Sequence, residues 1–369
     1  MSPPAVQPTG IDHCTTIDAS RQHRLPFDLD RLQLAGEPSP IAESVDTHIN
    51  RGAFSVSGSS PLVYRVGTTD ALSTRWFDRT GRLLESQSSP TGSFVRLSPD
   101  GTYVAFDRRD PESGAGDIWL ENVSRPGSTR LTTHPGYDWI PVWSPDSARV
   151  AFASNREATM DLYEKAASGT GPERLLLRSE KRKNPTDWSR DGAFLLFEQE
   201  EATSRWDLWA LPMGSAAGDR EPFPVLQSEF NELHGVFSPN GRWLAYTSDE
   251  TGRDQVYVVP FSGRPGLTGA DQRFGAKTLV SPAGGTRPRW RSDGQELFYV
   301  SPTREIVSVF VKTASKFEVG LITRMFETSM PSDDTSYDVS SDGKRFLIPS
   351  AAHAFRELDR NVEEITRRR

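Results

Sequence analysis

Short apolar runs alternate with polar, turn-forming stretches along most of the chain, and the alternation itself repeats. Pro141–Arg156 shows one unit. Pro-Val-Trp leads into Ser144-Pro145-Asp146-Ser147, then Val150-Ala-Phe-Ala, then the polar Ser154-Asn155-Arg156. Leu-Ser-Pro-Asp-Gly followed by Tyr-Val-Ala-Phe at 97–106 is another copy, and Phe-Ser-Pro-Asn-Gly followed by Trp-Leu-Ala-Tyr at 237–246 a third. Further copies carry Ser189, Arg291 and Ser340 at the place of Ser144. Apolar residues in runs of this length, bounded by Gly, Pro, Asp and Ser, predict short strands joined by tight turns. From Ser98 the turns recur after 46, 45, 49 and 53 residues. A period of roughly 40–50 residues is that of a four-stranded propeller blade. Third strands are expected at Asp117-Ile-Trp-Leu, Asp161-Leu-Tyr-Glu, Asp207-Leu-Trp-Ala and Gln255-Val-Tyr-Val, each with a short fourth strand after it.

The pattern therefore predicts an all-β fold, a β-propeller. The copy at Tyr337–Ile348 supplies two strands and stops, while Arg24–Val45 resembles the second half of a repeat. A ring closed by the N- and C-terminal strands in one blade accounts for both, since closure removes exposed sheet edges. This gives seven blades, or six if the weak copy at Phe54–Arg82 is not a blade. The expected organisation is a disordered or mobile segment over 1–23, the propeller over 24–349, and an amphipathic helix over 350–369, where Phe355, Leu358, Val362 and Ile365 fall at helical spacing.

Composition refines this picture. Nine Trp, nineteen Phe and eight Tyr suit a β-rich interior. With 43 basic and 50 acidic residues the net charge is −7, which argues against nucleic acid as a general partner. One cysteine excludes an intramolecular disulfide. No run reaches the ~20 apolar residues of a membrane helix. The N-terminus lacks the basic and apolar regions of a signal peptide, so the chain as written reads as soluble and cytoplasmic. Oligomeric state is left open.

The run Phe237-Ser-Pro-Asn-Gly-Arg-Trp-Leu-Ala-Tyr-Thr-Ser-Asp-Glu-Thr-Gly-Arg253, with Val142–Arg156, resembles the WD40-like (PD40) repeats of the TolB family over about residues 24–349. Leu25-Pro-Phe-Asp-Leu-Asp-Arg-Leu, Gly116-Asp-Ile-Trp-Leu and Pro288-Arg-Trp-Arg-Ser-Asp-Gly-Gln-Glu-Leu-Phe-Tyr further resemble the propeller region C-terminal to some bacterial serine/threonine protein kinases. The first resemblance implies a binding propeller and allows a periplasmic location. The second implies a sensory or regulatory module. No Gly-rich phosphate loop, His-Arg-Asp or Asp-Phe-Gly is present, so kinase activity does not carry over.

Candidate chemistry is sparse. The Ser-Pro-Asp-Gly sets make hairpins, because Pro presets φ, Asp bonds its own backbone and Gly takes positive φ. No Gly-x-Ser-x-Gly occurs, and no paired-histidine metal motif. Neither a cofactor nor a metal is expected. A polysaccharide lyase-like enzyme would need His134 and His234 to converge. The loops leading into each first strand are richer, with exposed aromatics beside mixed charge, which suits a protein or peptide partner at the channel mouth. The candidate binding residues are Tyr137, Asp138, Trp139, Lys183, Phe230, Asn231, His234 and Arg287.

Overall fold

A computed structural model describes residues 73–84, 92–110, 115–201, 205–214, 220–263, 277–330 and 336–350 in full. Between residues 11 and 64 it describes only the backbone of eight short strands. The chain forms two compact units, Met1–Asp70 and Ala71–Arg369.

In the first unit β1 (Ile11–Asp18) and β2 (Arg21–Asp28) form a hairpin, and β3 (Gln33–Leu34) and β4 (Ser39–Ala42) both pair with β2. Two small hairpins follow, β5 (Thr47–His48) with β6 (Arg51–Gly52), and β7 (Phe54–Ser55) with β8 (Val63–Tyr64). The predicted C-terminal helix lies outside the described residues, as do residues 1–10.

The second unit opens with β9 (Ser73–Asp78). Five antiparallel sheets of four consecutive strands come next. Blade 1 is β10 (Val95–Leu97), β11 (Tyr103–Arg109), β12 (Gly116–Asn122) and β13 (Ser128–Arg130). Blade 2 is β14 (Asp138–Trp143), β15 (Arg149–Glu157), β16 (Thr159–Ala166) and β17 (Arg174–Leu177). Blade 3 is β18 (Lys183–Trp188), β19 (Phe194–Glu200), β20 (Trp206–Pro212) and β21 (Phe223–Leu226). Blade 4 is β22 (Glu232–Phe237), β23 (Trp243–Ser248), β24 (Gln255–Pro260) and β25 (Thr278–Leu279). Blade 5 is β26 (Thr286–Trp290), β27 (Glu296–Val300), β28 (Glu305–Lys312) and β29 (Glu318–Glu327). Blade 6 is composite: β30 (Asp338–Val339) and β31 (Arg345–Ser350) pair with β9, and Leu83 bridges back to Phe77 on its outer side.

The ring thus has six blades rather than seven. N- and C-terminal strands do share the closing blade, but the N-terminal contribution is Ser73–Asp78, in register from Ser73↔Ser350 to Asp78↔Arg345. Arg24–Val45 does not fill that place. Its strands pair within the first unit, and the residues around Phe54 form a two-strand hairpin there. The physical reason is side-chain pattern. Ser-Thr-Arg-Trp-Phe-Asp alternates, with Thr74 and Trp76 buried, and Trp76 packs against Leu347 and Val104.

Each turn between a first and second strand is built alike. The Ser144 hydroxyl donates to Asp146 Oδ1 at 2.5 Å and accepts from the Arg149 N–H at 2.9 Å, while Asp146 Oδ1 accepts the Ala148 N–H. Ser98/Asp100, Ser189/Asp191, Ser238/Asn240 and Ser340/Asp342 repeat the serine bond, and Arg291/Asp293 substitutes an ion pair. The last turn residue has positive φ in all six. It is glycine in five and Ser147, at 59°, in blade 2.

Six hydrophobic clusters fill the six spaces between neighbouring blades. One joins Leu196 and Leu208 of blade 3 to Phe237 and Tyr246 of blade 4, and another joins Phe298 of blade 5 to Tyr337 and Phe346 of blade 6. A blade's two faces are both buried, so its middle strands carry continuous apolar runs, as at 297–300. Arg79 reinforces the seam by donating to Glu296 at 2.6 Å and to the Gly343 carbonyl at 2.8 Å.

Candidate binding sites in the central channel

The six first strands stand side by side around a channel, and a parallel bridge between Phe94 and Ser336 closes the circle. Counting two residues back from each turn gives Arg96, Val142, Asp187, Val236, Arg289 and Asp338. All six line one cavity of about 550 Å³ on the side of the turns. The two aspartates stitch neighbouring strands together: Asp187 Oδ2 accepts the Phe237 N–H and Asp338 Oδ2 accepts the Leu97 N–H, both at 2.7 Å. Burial pushes the Asp187 carboxyl up to about 6. Enclosure by the channel wall, with Arg289 nearby, pushes the Arg96 guanidinium below its usual range.

Four residues back from the turn the wall is irregular. Ile140, His234 and Arg287 occupy this place in blades 2, 4 and 5 and have φ of 51°, 56° and 56°. Each sits at a break in register of its first strand. Such bulges re-aim side chains, and strained backbone of this kind gathers at functional sites. The His234 N–H donates to Glu198 Oε1 at 2.6 Å, and its Nδ1 lies 3.3 Å from Thr286 Oγ1 and 3.4 Å from Thr247 Oγ1. Burial lifts the Glu198 carboxyl to about 7. Burial, then Arg287, Arg289 and Arg96, drives the His234 ring well below its usual range, so it is neutral at physiological pH.

The eight residues singled out from sequence fall into three settings. Tyr137 and Trp139 meet edge to face at 5.8 Å, and Trp139 meets Phe94 at 5.9 Å. Together they form a file of half-buried rings running from the loop to the channel. Phe230 is half-buried on the next but one loop. His234 and Arg287 stand on adjacent first strands in the channel wall. Asp138 is buried and accepts from Arg156 Nη2 at 3.0 and 3.1 Å, with Ser154 and Thr132 as further partners. Lys183 is buried, ion-paired with Asp161 at 2.8 Å. Asn231 accepts the Trp206 N–H and donates to Asp249 at 2.6 Å, clasping two loops. His134 Nδ1 accepts the Gly136 N–H of its own loop. Among the described residues no three His, Cys, Asp or Glu side chains are grouped to hold a metal ion, and no helix is long and apolar enough to cross a membrane.

Sequence reasoning missed Arg96, Asp187, Arg289 and Asp338. The signal was available, because all four sit two residues before a turn whose position the repeats fix.

Comparison with known proteins places this architecture. A model of the TolB β-propeller domain (PD40) matches residues 80–265. An uncharacterized protein of Agrobacterium fabrum is 26% identical over 212 residues, spanning 55% of this chain and 68% of the relative. Tricorn protease homolog 1 of Streptomyces coelicolor is 25% identical over 291 residues, 72% of this chain but 25% of that protein. The Tol-Pal system protein TolB of Anaeromyxobacter dehalogenans is 29% identical over 131 residues, covering 35% of this chain and 29% of its own length. The solved structure of a TolB-type protein from Agrobacterium tumefaciens superposes with a TM-score of 0.54 at 18% identity, over 75% of this chain and 96% of that one. Half of the sequence matches the family model, and the chain belongs to the TolB β-propeller family.

Proposed function

We propose that the protein is a non-catalytic platform that binds a protein or peptide at the channel mouth formed by the loops leading into the first strands. The observation that carries this reading is the ring file Phe94–Trp139–Tyr137. It offers half-buried aromatic surface on the frame of blades 1 and 2, with His234 and Arg287 on the opposite wall of the ring, in blades 4 and 5. Aromatic and arginine side chains are the usual anchors of such contacts. Asp138, Lys183 and Asn231 serve by fixing the loops rather than by touching the partner. The loops gain their shape from clasps such as Tyr137 N–H to Asn155 Oδ1 at 2.6 Å and Asn231 N–H to Asp249 Oδ1 at 2.9 Å. Membership of the TolB family favours a periplasmic rather than a cytoplasmic setting for this interaction.

The test is affinity capture from bacterial envelope and cytosolic fractions, comparing wild type with a Trp139→Ala/Phe230→Ala/Arg287→Ala variant whose thermal unfolding is checked first. Loss of a partner with the fold retained supports the reading. An identical partner set from the variant removes it.

A further inference from the structure

We propose that the turn-side half of the channel is a binding site for a compact oxyanion, a carboxylate or phosphate group, gripped by Arg96 and Arg289. This site faces the opposite mouth from the loops and stands independently of the partner reading above.

One level of the ring gathers arginines, aspartates and valines around the channel. Val142 and Val236 contribute apolar wall. Asp338 has both oxygens engaged: Oδ2 takes the Leu97 N–H and Oδ1 takes its following N–H, from Val339, at 2.9 Å. Asp187 holds the Phe237 N–H. At the rim, Asp100 and Asp146 are engaged in their turns by Ser98 and Ser144. The acidic groups lining this cavity are therefore committed to backbone and hydroxyl partners.

The arginines are not. A guanidinium carries five N–H donors. Arg289 is 7% exposed, and its Nη1 donates to the carbonyl of Pro288, on its own strand, at 2.8 Å. Its Nε has no hydrogen-bond partner, and the Asp338 oxygen 3.8 Å away is an ion-pair contact only. Arg96 Nη1 donates to Ser336 Oγ and to the Val95 carbonyl, also on its own strand. Two enclosed cations thus stand on the strands flanking blade 6, and one buried donor, Arg289 Nε, has no acceptor in the wall. Asp338 and Asp187 offset part of this charge without taking the Arg289 Nε hydrogen bond, and a planar fork matches a carboxylate or phosphate edge. The cavity is of a size that takes a small ligand. The neighbouring Arg287 charge, felt at Arg96, adds to the positive potential.

The experiment is calorimetric titration of the full chain with inorganic phosphate, succinate and tetraglutamate at constant ionic strength, alongside Arg289→Met and Arg96→Met. Tryptophan fluorescence gives a second readout, since Trp143, Trp188 and Trp290 line the cavity. Saturable binding of phosphate or succinate, weakened about tenfold or more in each variant, is the expected result and identifies a free small molecule as the source. Saturation by tetraglutamate alone, with the same loss in both variants, identifies acidic side chains of a peptide instead. Should the methionine variants fail to fold, Arg289→Lys and Val236→Asp carry the test. The first is expected to weaken binding by removing the fork, and the second to abolish it by placing an acid across the channel from Arg96. The proposal is overturned if none of the three anions saturates wild type, or if binding is unchanged in the folded variants.

Discussion

The junctions on either side of blade 3 place opposite charges at one backbone address. Six residues before the turn, β18 carries Lys183 and β22 carries Glu232. Each meets the aspartate that opens the third strand of the preceding blade, Asp161 or Asp207. Lys183 Nζ donates to Asp161 Oδ1 at 2.8 Å and to the Lys181 carbonyl at 2.6 Å, so that buried charge is paired and hydrogen-bonded. Glu232 accepts from Ser228 Oγ at 2.5 Å, but its Oε2 and Asp207 Oδ1 have no donor. Burial pushes the Glu232 carboxyl up to about 8, and burial also raises Asp207. A proton on Glu232 supplies the missing donor. A repeated backbone thus fixes where a side chain goes without fixing how its charge is satisfied. One junction uses an ion pair and the other uses a proton.

The sharpest way to break this contrast is Lys183→Met, which leaves the buried Asp161 with only the looser Arg178 cation, 3.8 Å away. It is expected to cost about 3–5 kcal/mol in denaturant unfolding at neutral pH. The second test is pH. Glu232 has a folded-state pKa above its ordinary value of 4.5. The folded state therefore binds more protons in the interval between them, and stability falls as pH rises from about 4.5 to about 8. Glu232→Gln removes that dependence. The slope of stability against pH should flatten, with a gain of roughly 1–3 kcal/mol over wild type at pH 8. A slope unchanged by the substitution contradicts the shared-proton account. Glu232→Lys converts one junction into the other. At pH 8 it should stabilise by ~1 kcal/mol and leave a flat profile, and a destabilised variant shows that the two addresses differ in more than charge. The smallest effect concerns another repeated position. Ser147→Gly relieves the positive φ that the other five blades assign to glycine, but it removes the Ser147 hydroxyl that accepts the Asp100 N–H at 3.2 Å. A gain of about 0.5 kcal/mol in thermal unfolding is expected.

The blades were legible because their turns are local chemistry. Ser144, Asp146 and the residue at positive φ determine a hairpin without help from the rest of the chain, and five of the six turns repeat the serine bond. The closing strand was not legible in the same way. Arg24–Val45 and Ser73–Asp78 both offer short alternating runs, and only packing of Trp76 against Leu347 and Val104 selects the second. Lys183 and Asp138 read as exposed loop charges because their partners, Asp161 and Arg156, come from other strands. Left-handed Ile140, His234 and Arg287 carry no local signal at all. Their bulges arise where first strands crowd together around the channel. The four charged residues at the level of Arg96 were within reach, since aligning the repeats on their turns places them in one column.

The seam between β9 and β31 makes closure of the ring depend on synthesis reaching β31. Its register joins Ser73 to Ser350. As the nascent chain leaves the ribosome, blades 1 to 5 can each pair internally, yet Trp76 must wait for Leu347 before its indole is covered. A stalled or clipped chain lacking β31 would carry five formed sheets and one uncapped aromatic strand, which is the form that proteases and chaperones recognise.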